Sequence, residues 1–433
     1  MIARALALLQ ILLLLHPGVA RSADAPAVEE KADAGRTAKS PAERKIAIAR
    51  ADIARLPQNP DPHNALALAL VARARETADA KFYAEAGAAL KESHRLAPDN
   101  LAARRIDIMV QLGRHLFPAA LADARELNKL RPDDVLVYSL LADACVEMGD
   151  YDEAENAAQW ALDMRPGEVC GLMAASRVRE IYGDLQGAID LVQSASLRIP
   201  PEETGDRAEL LIRFAHLQIL NGQPARAEAA LDEALKLCPS HPAALAQMVE
   251  VRTAQKRPAD AVAVAGELCR VAPTVPHHFI LGEALLRTGE KAAALQTFMR
   301  APWTFVECSP FIDDTYREAV FYYTDHVPQP AAALRIADRQ IDRRHDAHTR
   351  HARAWALYAN EKYEEAAAEM DKALAPGIRE PAMLYHAGMI AAKLGRMEQA
   401  DRYLHAAIAT APESEVSALV RAAITLGDAT NKK

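Results

Sequence analysis

The stretch GDYDEAENAAQWALDMRP, residues 149–166, keeps a glycine, two alanines and a proline at fixed distances. The same skeleton returns as GDLQGAIDLVQSASLRIP at 183–200, GQPARAEAALDEALKLCP at 222–239 and GRMEQADRYLHAAIATAP at 395–412. In the first copy Ala154 and Ala161 are nearly two helical turns apart, so they share one face of a helix. The glycine can end the preceding helix in a left-handed conformation, and the proline ends the second helix. The pattern predicts two helices that pack closely through small side chains.

Prolines recur along the chain at a spacing near 34 residues, which sets the period of the array. They are Pro98, Pro132, Pro166, Pro200, Pro239 and Pro273. A period of this length with helical patterning is typical of stacked helix–turn–helix units. Hydrophobic residues make up 51% of the chain but aromatic residues only 5%, so alanine and leucine dominate, and both favour helix. The sequence predicts an all-α, right-handed superhelical solenoid of stacked antiparallel helix pairs.

These units resemble the tetratricopeptide repeat (TPR) family. In VLVYSLLADACVEMGDYDEAENAAQWALDMRPGE, residues 135–168, the large and small apolar positions of both helices match the family pattern. Further copies occupy residues 279–301, 353–374 and 380–414. The resemblance implies that the first helices of successive repeats line a concave groove that binds peptides. The Lys/Asn clamp with which some members hold a C-terminal carboxylate is not recognisable.

The N-terminus has the composition of a secretory signal. Arg4 precedes the uncharged run 5–15, and small residues follow up to Ala20 and Ser22, where cleavage is expected. The run is short for a membrane span, although an uncleaved N-terminal anchor is the alternative. We expect residues 1–22 to be a signal peptide and the mature chain to be periplasmic or secreted, with no membrane span after cleavage.

The rest of the chain divides by its patterning. Residues 23–39 read as a disordered linker, and an N-terminal helix over 40–60 starts with a capping box of Ser40 and Glu43. The further predicted segments are TPR-like repeats over 61–302, a degenerate helix pair with an aromatic cluster over 303–346, repeats over 347–414, and a capping helix and tail over 415–433. In the degenerate pair, Tyr316, Val320 and Tyr323 are expected to pack inward.

Charge and motifs exclude several classes of function. The net charge of −8 lacks the basic footprint of a nucleic-acid binder. No phosphate-binding glycine loop, zinc-binding HExxH helix or nucleophile elbow occurs, so no enzyme, cofactor or metal is expected. His345, His348 and His351 are three residues apart, and such steps drift around a helix rather than converge on one ion. Most of the five cysteines are expected to be small buried hydrophobes, with a Cys145–Cys170 bridge as the alternative.

The family resemblance also indicates which side chains face the groove. The candidate partner-binding residues are His348, His351, Trp355, Tyr358, Tyr385, Phe279 and Arg287. For Trp355 the alternative is packing against the neighbouring repeat. Arg343, Arg344, Arg350 and Arg353 make this segment locally basic, which suits either an ordinary charged helix surface or contact with an anion.

Two functions are compatible with these observations. The first is a non-catalytic protein–protein interaction scaffold, exported to the periplasm or cell envelope, that binds a protein or peptide partner. The alternative is a scaffold subunit of envelope polysaccharide export that contacts a glycan or an outer-membrane pore. The aromatic cluster and the basic segment would suit this second function, since aromatic side chains are enriched at binding hot spots.

Overall fold

A computed structural model of the chain describes residues 39–300 and 316–410, with residues 412, 417, 418, 420 and 421. Four predicted features lie wholly or largely outside this part: the signal peptide, the linker, the aromatic residues Trp303, Phe305 and Phe311, and the C-terminal cap. The described residues contain helices, turns and loops without a strand, so this part of the chain is all-α as predicted.

Most of the helices form antiparallel pairs, each first helix packing on the second helix that follows it. In chain order they are α1 Pro41–Arg55, α2 Pro60–Thr77, α3 Lys81–Leu96, α4 Leu101–Gly113, α5 Phe117–Leu130, α6 Val135–Met148, α7 Tyr151–Met164, α8 Val169–Ile181, α9 Leu185–Ser196, α10 Thr204–Leu220 and α11 Pro224–Leu237. The series continues with α12 Pro242–Ala254, α13 Pro258–Val271, α14 Val275–Arg287, α15 Lys291–Arg300, α16 Tyr316–Phe321, the π-helix π1 Tyr322–His326, α17 Pro330–Ile341, α18 Ala347–Ala359, α19 Tyr363–Leu374, α20 Pro381–Lys393 and α21 Met397–Thr410. The predicted solenoid of stacked helix pairs is confirmed, and its handedness stays a prediction.

The first helix starts at the predicted capping box. The Ser40 hydroxyl accepts a hydrogen bond from the Glu43 amide at 3.1 Å, and the Glu43 carboxylate accepts one from the Ser40 amide at 2.9 Å. These two bonds satisfy donors that helix N-termini otherwise leave unpaired. Helix α1 then ends at Arg55 and packs on α2.

The repeated alanines lie where helices approach most closely. Ala154 and Ala161, both on α7, have no exposed surface, and the matching alanines of the other three copies are equally buried. Gly149 ends α6 with a φ of 82°, the left-handed conformation that the sequence predicted. Lys256 and Glu361 adopt the same conformation at the corresponding turns, with φ of 60° and 61°. Glycine is therefore favoured at this turn but not required there.

Consecutive turns of the superhelix touch each other, which the sequence did not indicate. The His345 amide donates to the carbonyl oxygen of Met148, and the Ala347 amide donates to the Tyr151 hydroxyl at 2.7 Å. Near the N-terminus, Lys45 on α1 forms an ion pair with Glu203 just before α10. Helices far apart in sequence therefore form one packed body, and one hydrophobic cluster includes residues of both α6 and α20.

The structure tests the alternative disulfide and the expected burial of the aromatic residues in the degenerate pair. The described cysteines are all free, and Cys145 is buried, so the alternative of a Cys145–Cys170 bridge is wrong. In the degenerate pair, Tyr316, Val320 and Tyr323 are buried as predicted.

Candidate partner-binding groove

The first helices of successive repeats are joined by ion pairs along the inner surface of the superhelix. Arg177 on α8 bonds Asp143 on α6 at 2.9 Å, and Glu180 on α8 bonds Arg213 on α10 at 2.5 Å. These side chains are only partly buried, with exposed fractions between 14 and 32%. The inner surface in this part of the groove is polar, and its charges are largely paired within the protein.

Three of the predicted partner-binding residues lie in the core rather than on an open groove surface. His351, Trp355 and Tyr358 are between 2 and 5% exposed. The Trp355 ring stacks on Tyr358 at a centroid distance of 4.6 Å and on His386 at 3.7 Å, nearly parallel to both. Both rings already cover the indole within the protein, as the packing alternative for Trp355 expected.

The histidines of α18 make separate contacts. His351 shares a hydrogen bond with His386 of α20, with 2.8 Å between Nε2 and Nδ1. His348 lies 3.4 Å from the Glu380 carboxylate, and His345 precedes the helix. Within the described part of the chain no group of three or more metal-ligating side chains converges.

The basic segment around α18 is largely neutralised by neighbouring carboxylates. Arg344 bonds Asp346, Arg350 bonds Glu369, and Arg353 bonds Asp338. The segment therefore contributes to packing and ion pairing, and these contacts favour the ordinary charged surface over an anion site.

The other predicted residues gather around the end of π1, a helix type that is rare and often marks functional sites. His326 bonds the Glu283 carboxylate of α14, and its ring stacks on Phe298 at 4.9 Å. Phe279 lies 6.0 Å from the same imidazole, and Arg287 lies 3.6 Å from Glu283. Two of the predicted groove residues thus meet on one side of π1.

Asp325 is the centre of this region. Its Oδ1 accepts a hydrogen bond of 2.8 Å from Trp355 Nε1, and Tyr385 of α20 is close enough for the Asp325 charge to raise its pKa further above the value set by burial. The Asp325 side chain is accessible to water yet closely surrounded by protein, and this loss of hydration raises its pKa to about 6. We call Glu283, Asp325, His326, Trp355 and Tyr385 the Asp325 cluster.

A second carboxylate of the groove has a similar environment. Glu250 on α12 is exposed to water but closely surrounded by protein, and the reduced hydration raises its pKa. The like charge of Glu380 raises it further, while His216 and Arg287 lower it. Neither Glu250 nor Asp325 has a cationic partner within ion-pair distance among the described residues. Most other inner carboxylates, such as Glu180 and Glu283, do have one.

Sequence reasoning missed Asp325, His326 and Glu250. The proline spacing is interrupted beyond residue 302, and π1 shifts the register within that interval, so no repeat pattern marked positions 325 and 326 as groove-facing. One sequence feature could have identified Asp325 and His326: the prolines at 328 and 330 predict that the preceding aromatic-rich helix ends at this Asp–His dipeptide.

The hydrogen-bonded histidine pair of His351 and His386 predicts a pH dependence of stability. Burial lowers the pKa of His386 to about 3 and that of His351 well below its usual value. The unfolded chain therefore binds more protons than the folded chain below pH 6.5, so the free energy of unfolding should fall on acidification, by up to about 1.4 kcal/mol per pH unit for each histidine.

Denaturant titrations followed by circular dichroism between pH 7 and 4 measure this dependence. His386→Phe keeps a ring beside Trp355 and should make the decline less steep. His405→Asn is the control, because the His405 side chain is 64% exposed. Identical slopes for His386→Phe and the unsubstituted protein would contradict the prediction.

Comparison with known proteins agrees with the repeat architecture. Family models described as tetratricopeptide repeat match residues 140–203, 351–415 and 208–241. No curated protein sequence matches the chain significantly. Every described helix is too short or too polar to cross a bilayer.

Several solved structures are similar to the chain at low sequence identity. The human IFIT1 dimer with PPP-AAAA is 12% identical, over 84% of this chain and 94% of that chain, with a TM-score of 0.48. PilW, a widely conserved type IV pilus biogenesis factor, is 15% identical over 49% of this chain and 96% of that chain, with a TM-score of 0.41. A TPR protein of Thermus thermophilus is 20% identical over 46% of this chain and 100% of that chain, with a TM-score of 0.37.

The TPR fold is generally a non-catalytic repeat scaffold whose members bind protein partners. The matched segments lie in the region of stacked helix pairs, and the turn glycine and buried alanines of the 149–166 copy occupy the positions at which the repeat pattern favours them. The chain is therefore a tetratricopeptide repeat protein.

Proposed function

We propose that the chain is a non-catalytic protein-interaction scaffold, exported to the periplasm or cell envelope as part of an envelope complex. The C-terminal half of its groove, lined by α12, α14, α18 and α20, holds an extended segment of a protein partner. The observation that carries this proposal is the Asp325 cluster, where side chains of four helical elements surround a carboxylate that is accessible to water. A rigid site of this kind can orient a bound chain without any catalytic group.

A protein partner is favoured over a glycan. The glycan alternative drew on the aromatic cluster of the degenerate pair, and Tyr316, Tyr322 and Tyr323 of that cluster are buried in the core. These three rings are consequently not available as a flat surface for sugar stacking. Export rests on the sequence alone, on Arg4 and the apolar run 5–15.

Site-specific photo-crosslinking in the native host tests the groove. An aromatic photo-crosslinking residue in place of Phe279 or Tyr385 keeps the ring and should capture one protein partner, identified by mass spectrometry. The matched control replaces Trp160, an aromatic residue on the second helix α7 with 58% of its surface exposed. Capture from position 160 with none from 279 or 385 would place the partner outside the groove.

Mass spectrometry of the chain purified from the host envelope tests export. The mature N-terminus is expected near residue 21 or 23, after cleavage behind Ala20 or Ser22. Soluble cytoplasmic protein that retains Met1 would remove export from the proposal and leave the groove unaffected.

A further inference from the structure

We propose that the partner segment is cationic: a lysine or arginine side chain of the segment pairs with Asp325 near Tyr385, and a second basic residue pairs with Glu250. This inference rests on the proposed function and names the chemistry of its partner. It starts from the groove carboxylates that have no cation in contact among the described residues.

The ion pairs of the inner surface show which carboxylates are already paired with a cationic side chain of the protein. Glu180 has Arg213 and His216, and Glu283 has His326 and Arg287. Asp325 instead receives an uncharged donor, the indole of Trp355.

Glu250 is a second carboxylate of the groove for which the described residues provide no ion-pair contact. The charges of His216 and Arg287 act on it and lower its pKa, and the like charge of Glu380 raises it, but neither cation is in ion-pair contact with it. A bound ammonium or guanidinium group would supply the direct ion-pair contact that both carboxylates lack.

The surroundings of Asp325 suit a cation with an aliphatic stem. The Trp355 indole donates a hydrogen bond to one carboxylate oxygen, and Tyr385 is near enough for the Asp325 charge to raise its pKa. Tyr358 and His386 already cover the faces of Trp355, so the ring available to a bound segment is that of the partly exposed Tyr385. An aromatic ring attracts cations and also covers the methylene groups of lysine and arginine. An acidic segment would instead meet two carboxylates of like charge, which is unfavourable in a partly desolvated groove.

The raised pKa values of Asp325 and Glu250 agree with this arrangement: both residues are exposed to water in the groove, but the surrounding protein reduces their hydration and no cation among the described residues contacts them. The titratable groups that influence Asp325 are His326 on its own helix, Glu283 from α14 and Tyr385 from α20. A bound cation lowers the pKa of Asp325, so binding releases a proton near pH 6. Protonation of His326 at lower pH acts in the same direction, because it adds a positive charge beside the site.

Selection from a random peptide library displayed on phage tests the chemistry with the complete mature chain as bait. Selected peptides should be enriched in lysine and arginine relative to the starting library. Selected peptides without that enrichment, or enriched in aspartate and glutamate, would overturn the inference and leave the scaffold function standing. Failure to select any peptide would count against the proposed function itself.

Calorimetry with a selected peptide then locates the contacts. Asp325→Asn keeps an acceptor for Trp355 and should weaken binding about tenfold, since a hydrogen bond to a charged group is lost. Glu250→Gln should also weaken binding, and it provides an independent test if the first variant folds poorly. Glu126→Gln, at a side chain that is 64% exposed, is the control and should bind as before.

The pH dependence of that affinity is the second readout. Binding to the unsubstituted chain should weaken as pH falls from 7 to 5, and the Asp325→Asn variant should show a smaller change. Unchanged affinity in both carboxylate variants would overturn the proposal.

Discussion

Arg344→Ala is expected to lower the free energy of unfolding by about 3–5 kcal/mol, because it leaves a buried carboxylate without its cation. Arg344 precedes α18 and bonds Asp346 at 2.6 Å and Glu147 of α6 at 2.9 Å. Its guanidinium also lies 4.5 Å from the ring centroid of Phe117. One side chain therefore joins two turns of the superhelix that are far apart in sequence.

Asp346 carries most of the expected cost. It is 3% exposed, and its carboxylate accepts hydrogen bonds from the amides of His348 and Thr349 at the start of α18. Burial alone would raise the pKa of Asp346, but the charges of Arg344 and His348 and the hydrogen bonds from the Thr349 hydroxyl and the Arg344 guanidinium hold it below its usual value. Without Arg344 the carboxylate either stays charged in the core or takes up a proton, and both outcomes destabilise the fold.

Denaturant titration measures this loss, with Arg179→Ala as the control. Arg179 pairs with Asp184, and both side chains are about half exposed, so its removal should cost less than about 1 kcal/mol. Equal effects of the two substitutions would show that the Arg344 contacts do not hold the superhelical turns together in solution.

Gly183→Ala is expected to destabilise the protein by roughly 2–5 kcal/mol, from two causes that add. Gly183 has a φ of 75°, which costs a residue with a Cβ atom about 1–2 kcal/mol. A Cβ atom at this position would also overlap the backbone carbonyl oxygen of Gly377, between α19 and α20. Because backbone cannot rotate aside as a side chain can, the two superhelical turns would have to separate.

Gly289→Ala separates the two causes. Gly289 follows α14 with a φ of 84°, but no neighbouring atom lies within 4 Å of the position that an added Cβ atom would take, so only the backbone cost applies. The difference between the two variants in denaturant titrations measures the contact between superhelical turns. A loss of stability at Gly183 no larger than that at Gly289 would contradict this contact.

The sequence by itself determined the local and periodic features of this protein. The spacing of glycines, alanines and prolines predicted the helix pairs, and Ser40 with Glu43 predicted the start of α1, because capping and turn conformations depend on residues within a few positions of each other. A helix pair buries its apolar face only against its neighbours, so a repeated pair is enough to predict a stacked array.

Only the tertiary structure decided which side chains face the groove and which do not. Trp355 satisfied the sequence pattern for a groove residue, but His386 and Tyr358 cover its ring. Asp325 did not fit the pattern, yet π1 places it beside the groove residue Tyr385. The contacts of Gly183 with Gly377 and of Arg344 with Glu147 depend on how far the array curls per repeat. This curvature is the sum of small packing angles between neighbouring repeats, so it cannot be predicted from a local sequence pattern.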